Sequence, residues 1–146
     1  MAVRIGINGF GRIGRLSLRT LLAKYKGQFD VVAVNDLTDT RTNAYLFKYD
    51  SVYGPFAGHV DSDDKSITVD GDKLQVFAET DPAKIPWGDL GCDIVIESTG
   101  RFTDATLAAA HKTARAKKVI IYAQKKNEDV TIVLGVNDGM YDPAKH

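Results

Sequence analysis

The stretch Val3-Arg-Ile-Gly-Ile-Asn-Gly-Phe-Gly-Arg-Ile-Gly14 sets Gly9, Gly11 and Gly14 in G-x-G-x-x-G spacing. Glycine weakens strands and helices alike, so such a cluster belongs where the backbone must turn sharply or let something approach. The context on both sides is specific. Val3–Asn8 is a β-branched run that predicts a buried strand. Ile13, Leu16, Leu18, Leu21 and Leu22 then recur near helical spacing up to Lys24, and Gly27 marks the stop. Phe29–Asn35 predicts a second buried strand. Strand, glycine turn, helix and strand together have the size of a βαβ unit.

In that setting each glycine has a separate reason. The first allows the turn, the second clears a path for a pyrophosphate, and the third lets helix and strand pack closely. The helix N-terminus adds unpaired N–H groups and partial positive charge. Arg12 lies in the first helical turn, where a cation opposes the dipole unless an anion is bound. An acid is expected about 20 residues on, at the end of the second strand. Asp36 occupies it, after Val-Val-Ala-Val-Asn. A carboxylate there accepts hydrogen bonds from the adenosine ribose and repels a 2′-phosphate. The expected cofactor is therefore NAD rather than NADP.

Further along, Thr40–Asp50 predicts a helix with Ala44, Phe47 and Leu46 inward. Gly58–Ala78 alternates and carries an Asp70-Gly71 hairpin signal. Strands follow at Asp93–Glu97, Lys118–Tyr122 and Val130–Leu134. An alanine-rich helix spans Asp104–Ala116, with Thr103 or Asp104 as N-cap. The fold class is α/β: a Rossmann-type doubly wound, mostly parallel sheet with a small antiparallel insertion.

The 146 residues suit one domain, and 19 basic residues balance 19 acidic ones. No net field draws the chain to nucleic acid or to an anionic membrane. The single cysteine, Cys92, cannot form an internal disulfide and stands at the entrance to a buried strand, where it reads as a small core thiol. No apolar run has membrane-spanning length, and a cytoplasmic location is expected. His59, His111 and His146 are scattered, and no metal site is expected. Asp61, Asp63 and Asp64 read as a solvated hairpin. The Tyr45–Phe56 aromatics read as packing residues, Arg115, Lys117 and Lys118 as cations at a helix C-terminus with Lys125 and Lys126 nearby, and Lys24, Lys26, Lys48 and Lys73 as solvated surface.

The segments INGFGRIGR, NDL, FKYDSVYG, DPAKIPW, IESTGRFTD, AKKVII and KNEDVTIVLGVN together resemble the N-terminal, NAD-binding domain of phosphorylating glyceraldehyde-3-phosphate dehydrogenases. The resemblance extends over essentially the whole chain and implies one NAD-binding domain over 1–146, with the catalytic domain absent. It implies that Arg12 and Ile13 offer backbone N–H groups to the pyrophosphate, while Asn8, Gly9, Phe10, Gly11 and Gly14 form the turn. Asp36 would hold the adenosine ribose, with Leu37 near it. Ser98, Thr99, Gly100 and Phe102 would line the adenine and ribose side. The family's catalytic cysteine, general-base histidine and phosphate-binding residues have no counterpart here, so the chain alone is expected to be inactive.

Departures from the family pattern cluster. Thr80 stands where the family commonly has an arginine against the adenine. Tyr122-Ala123-Gln124 replaces a small hydroxyl-bearing segment near the nicotinamide, and Lys125 follows where a small residue is usual. Arg115 stands where glycine is common. These changes read as a re-cut module whose bulky and polar residues cover surface. The alternative function is a redesigned self-associating or partner-binding module, with a homo-oligomer as its expected form. Residual catalysis through Tyr122 is a third reading, without a partnered base.

Overall fold

The computed structural model describes residues 2–102, 104–122 and 127–146. The glycine-bearing unit has the expected shape. Strand β1 (Val3–Asn8) leads through Gly9–Gly11 into helix α1 (Arg12–Lys24), and strand β2 (Phe29–Asn35) returns parallel to β1. The β1–β2 register slips between Ile5 and Gly6, leaving Val32 as the extra residue.

Helix α2 (Thr40–Lys48) is capped by Asp39, whose side chain accepts the Thr42 N–H at 2.9 Å. It ends two residues before the expected Asp50. Tyr49–Asp50 instead forms strand β3, paired antiparallel with β4 (Gly54–Pro55). Two interactions draw the chain out of the helix. The Asp50 carboxylate accepts the Val52 and Tyr53 N–H groups. The Arg19 guanidinium donates to the carbonyls of Phe47, Lys48 and Gly54. Ala44 and Phe47 face the core as expected, but Leu46 is 37% exposed.

Strands β5 (Val60–Ser62), β6 (Ser66–Val69) and β7 (Asp72–Phe77) form the antiparallel insertion. Asp70 and Gly71 make its two-residue turn with φ of 51° and 92°, a left-handed pair that suits a tight hairpin. The insertion is continuous with the main sheet, because β7 pairs parallel with β2. After a short 3₁₀ turn at Pro82–Lys84, β8 (Ile94–Glu97) pairs parallel with the other side of β1, and β9 (Lys118–Ile121) pairs with β8. The sheet order is β5-β6-β7-β2-β1-β8-β9. Chain direction across the sheet reverses at β1, between β2 and β8.

Each face of the sheet carries its own core. Ile5, Ile7, Phe10, Leu18, Val34 and Phe47 pack on one side. Ala33, Ile85, Trp87, Cys92 and Val95 pack on the other. Gly6 points at the second core, and a Cβ there would fall within the Trp87 ring. Cys92 is thus the small core thiol expected, and burial pushes its pKa up to about 11.

Two further expectations are corrected. The Asp104–Ala116 helix is split into α3 (Ala105–Ala108) and α4 (Ala110–Thr113). Alanine supplies helix propensity but little buried area to hold a long helix in place, and Arg115 leaves the helix at φ 70°. The Asp104 carbonyl accepts the first helical N–H groups, from Leu107 and Ala108. Thr103, the other cap candidate, lies outside the described residues. Val130–Leu134 is not a strand. The Asn137 side chain accepts the Val133 N–H and donates to the Thr131 carbonyl, folding the segment onto itself. Leu134, at 85% exposed, has no core to enter. Among the described residues, no helix is long and apolar enough to cross a membrane.

Candidate functional site

The reversal at β1 opens a crevice between the C-terminal ends of β2 and β8, the place where ligands bind in open α/β sheets. A cleft of about 250 Å³ lies there, with Gly9, Gly11, Asp36, Thr80, Thr99 and Phe102 in its wall. Asn8, Leu37 and Ser98 complete the expected set that it brings together. Asn35, Glu79 and Arg101 also line it, and sequence reasoning missed all three. A larger recess near Lys65, Ser66, Lys73 and Gln75 lies on the insertion, away from the glycine turn.

The three motif glycines answer to different neighbours. Gly9 has φ 91°, and a Cβ there would stand 2.6 Å from the Thr99 nitrogen. A Cβ on Gly14 would fall on the Gly9 carbonyl oxygen. Both are required by the protein's own packing. Gly11 differs: its φ of −71° suits any residue, and a Cβ there would meet nothing within 4 Å. Gly11 is also the N-cap of α1, and no side chain caps this helix. Its first-turn N–H groups therefore have no capping side chain as acceptor.

Asp36 is half-buried, and one carboxylate oxygen accepts the Phe10 N–H at 2.8 Å. The other accepts the Thr38 N–H at 2.9 Å. A carboxylate offers about four lone-pair sites, so acceptor capacity remains for a ligand. Phe10, expected at the cofactor turn, is not among the residues that line the cleft. Its ring is buried against Phe47, with centroids 6.1 Å apart, and its N–H is committed to Asp36.

Arg12 does not simply point into water. Its guanidinium pairs with Asp50 at 3.1 Å and reaches Ser51. Asp50 supplies the anion that the first turn of α1 lacks in its own sequence. The Tyr53 and Val52 N–H groups, with Arg12 behind them, lower the Asp50 pKa to about 2. Arg15 braces the turn by donating to the Phe10 carbonyl at 2.8 Å. Burial first, and the Arg12 charge second, lower its pKa.

Ser98 also serves the turn. Its hydroxyl donates to the Gly9 carbonyl at 2.7 Å, so that proton is not free for a ribose. Thr99 is tied down too: its N–H and its hydroxyl both donate to Glu97 Oε1, at 2.8 and 2.6 Å. Ile13, Gly100 and Tyr122 are not among the residues lining the cleft. Tyr122 is 59% exposed, and its N–H extends the ladder to the Glu97 carbonyl. Ala123, Gln124, Lys125 and Lys126 lie outside the described residues. The described members of the basic cluster each have partners. Arg115 pairs with Asp89 and Lys117 with Asp93, while Lys118 donates to Pro143 and His146 carbonyls.

Under the cleft runs a buried polar network. His111 Nε2 lies 2.8 Å from Glu97 Oε2, and Asn8 Nδ2 donates to the same oxygen at 2.5 Å. The Trp87 indole donates to His111 Nδ1 at 3.0 Å. Asn35 Nδ2 donates to Asn8 Oδ1 at 2.7 Å and to the Glu79 carbonyl at 2.9 Å. Burial drives the Glu97 pKa upward, but donors from His111, Thr99 and Asn8 outweigh it and the net shift is down. Among the described residues, no group of histidine, cysteine and carboxylates could hold a metal.

Comparison with known proteins agrees with this geometry. A family model described as glyceraldehyde 3-phosphate dehydrogenase, NAD binding domain, matches residues 3–105. The chain is 53% identical over 146 residues to glyceraldehyde-3-phosphate dehydrogenase of Streptomyces coelicolor, and 54% identical to that of Geobacillus stearothermophilus. Against the Thermotoga maritima enzyme it is 53% identical over 140 residues. All of this chain is covered in the first two matches and 96% in the third, but only 43%, 43% and 42% of the relatives' length. The glycine turn, the acid at the end of β2 and the crevice at the sheet reversal thus sit within a matched region that takes in well over half of the molecule, and the chain belongs to the family of glyceraldehyde 3-phosphate dehydrogenase NAD-binding domains.

Proposed function

We propose that the cleft at the end of β1 holds the adenosine-pyrophosphate part of NAD, and that the chain is the cofactor platform of a phosphorylating glyceraldehyde-3-phosphate dehydrogenase. The pyrophosphate lies on the backbone from Gly11 to Ile13, where the Arg12 and Ile13 N–H groups meet it. Asp36 accepts from the ribose. Leu37, Thr80 and Phe102 flank the adenine. Cys92, a buried thiol with a raised pKa, is not placed to act as a nucleophile on an aldehyde.

One observation carries the reading. Gly11 has ordinary backbone angles and nothing of the protein near its missing Cβ, yet it lines the cleft at an uncapped helix N-terminus. Protein packing gives no reason for glycine there, whereas close approach of a phosphate does.

Calorimetric titration with NAD tests this on the parent and on Asp36→Asn. Saturable binding is expected, weakened in the variant and with less discrimination against NADP. Absence of saturable binding by the parent into the millimolar range overturns the assignment. A second reading, self-association, rests on exposed Ile120, Tyr122, Leu134 and Val136. Light-scattering mass across concentration decides it, and a constant monomer mass rejects it.

A further inference from the structure

The buried network under the cleft has a fixed polarity. The Trp87 indole can only donate, so His111 Nδ1, 3.0 Å away, must carry a lone pair. An imidazole protonated on Nδ1, alone or together with Nε2, would set N–H against N–H. The proton is therefore on Nε2, aimed at Glu97 Oε2 at 2.8 Å. The Asn8 amide approaches His111 Nε2 at 3.4 Å, but both groups are donors that share the Glu97 oxygen. His111 and Glu97 are buried, at 0% and 2% exposure.

Among the described residues, four donors meet the Glu97 carboxylate. They are His111 Nε2–H, Asn8 Nδ2–H, the Thr99 N–H and the Thr99 hydroxyl. The Thr99 oxygen in turn accepts the Arg101 N–H at 3.1 Å. His111 also meets the Phe102 ring edge-on, at a centroid distance of 6.5 Å. Thr99 and Phe102 both line the cleft. One neutral imidazole therefore braces two parts of the nucleotide-facing wall.

We propose that His111, held as the neutral Nε2–H imidazole by Trp87, is a positioning residue for the nucleotide cleft, acting through Glu97 on Thr99 and through ring contact on Phe102. The proposal rests on the assignment of NAD to this cleft. With its hydroxyl proton committed to Glu97, Thr99 has no hydroxyl proton to donate to a ligand. Thr99 then contributes to the wall by its shape rather than by a donated hydroxyl hydrogen bond.

The test combines nitrogen-15 NMR of the imidazole with NAD titration of the parent, His111→Gln and His111→Leu. The parent should show a protonated Nε2 and a bare Nδ1; the reverse tautomer, or protonation of both, overturns the proposal. Gln keeps a donor near the Nε2 position and is expected to bind NAD within about threefold of the parent. Leu removes it and is expected to bind at least tenfold more weakly while folded. Folded His111→Leu with parental affinity reduces the network to ordinary packing and overturns the proposal. If the parent itself does not bind NAD, the assignment of the cleft fails, and amide exchange then judges the brace. Exchange at Thr99 rising at least tenfold in His111→Leu, with Val95 unchanged, supports it; an unchanged Thr99 overturns it.

Discussion

Replacing Gly11 by alanine separates glycine required by a ligand from glycine required by the fold. At φ −71° and ψ −164° the backbone accepts alanine, and the new Cβ meets no protein atom within 4 Å. Alanine is a poorer N-cap than glycine by up to about 1 kcal/mol. It recovers about 0.4–1 kcal/mol by restricting the unfolded chain. The net stability change is therefore about zero, within roughly 0.5 kcal/mol. Gly9→Ala is the internal control. Its φ of 91° costs an L-residue about 1–2 kcal/mol. Its Cβ would also press on the Thr99 nitrogen at 2.6 Å and the Ser98 carbonyl carbon at 2.8 Å, backbone atoms that cannot swing aside. Overpacking of that kind adds about 1–3 kcal/mol, for a total of about 2–5 kcal/mol. In a chain of this length that lowers Tm by roughly 6–15 °C. Binding should show the opposite order of sensitivity for Gly11→Ala. A methyl group in the phosphate approach removes at least one charge-assisted hydrogen bond, about 1.5–3 kcal/mol, or roughly 10- to 150-fold in NAD affinity. Thermal melts and calorimetric titrations of the parent and both variants provide the measurement. Parental NAD affinity in Gly11→Ala, or a Tm loss matching that of Gly9→Ala, refutes the reasoning.

Cys92, pushed to about 11 by burial, is expected to resist a thiol-specific disulfide reagent at pH 8 until denaturant exposes it; rapid stoichiometric labelling of the folded chain contradicts this. Folded-state pKa values of Asp39, Asp50, Asp63, Asp93 and Glu97 are all depressed. Their contribution is present above the unfolded carboxylate range and is lost as pH falls through the folded values, so urea midpoints should drop between about pH 4.5 and pH 2. A flat midpoint across that window refutes the linkage. Arg115→Gly relieves a left-handed residue at φ 70° but gives up the exposed pair with Asp89 and adds unfolded-chain freedom. The expected change lies within about 1 kcal/mol of zero, and a larger loss in chemical denaturation shows that the Arg115 side chain, packed over Gly88, matters more than its backbone strain.

Particular residues explain what could be read from the chain and what could not. The first βαβ unit was legible because its determinants are adjacent: β-branched run, glycine spacing, helical leucines and the acid after β2. The Asp70-Gly71 hairpin was legible for the same reason. Val130–Leu134 has the composition of a strand but forms none, because the Asn137 side chain takes up the Val133 N–H and the Thr131 carbonyl that a strand would offer to a neighbour. Phe10 lies in the glycine turn, but its spacing there gave no sign that its ring packs against Phe47. Asn35 and Arg101 carried no spacing signal, although Asn35 sits one residue before the acid that was singled out.

Sequence alone determined the glycine turn, since turn, helix start and acid position follow from local backbone sterics and charge. Tertiary structure alone decided the brace beneath it. Asn8 and Glu97 are 89 residues apart, and Glu97 and His111 are 14 apart. Only the placement of β8 beside β1, with α4 packed behind it, brings them within hydrogen-bonding distance. A scattered histidine with no motif around it becomes a fixed donor because the indole at its Nδ1 can only donate, which leaves the proton on Nε2, toward Glu97.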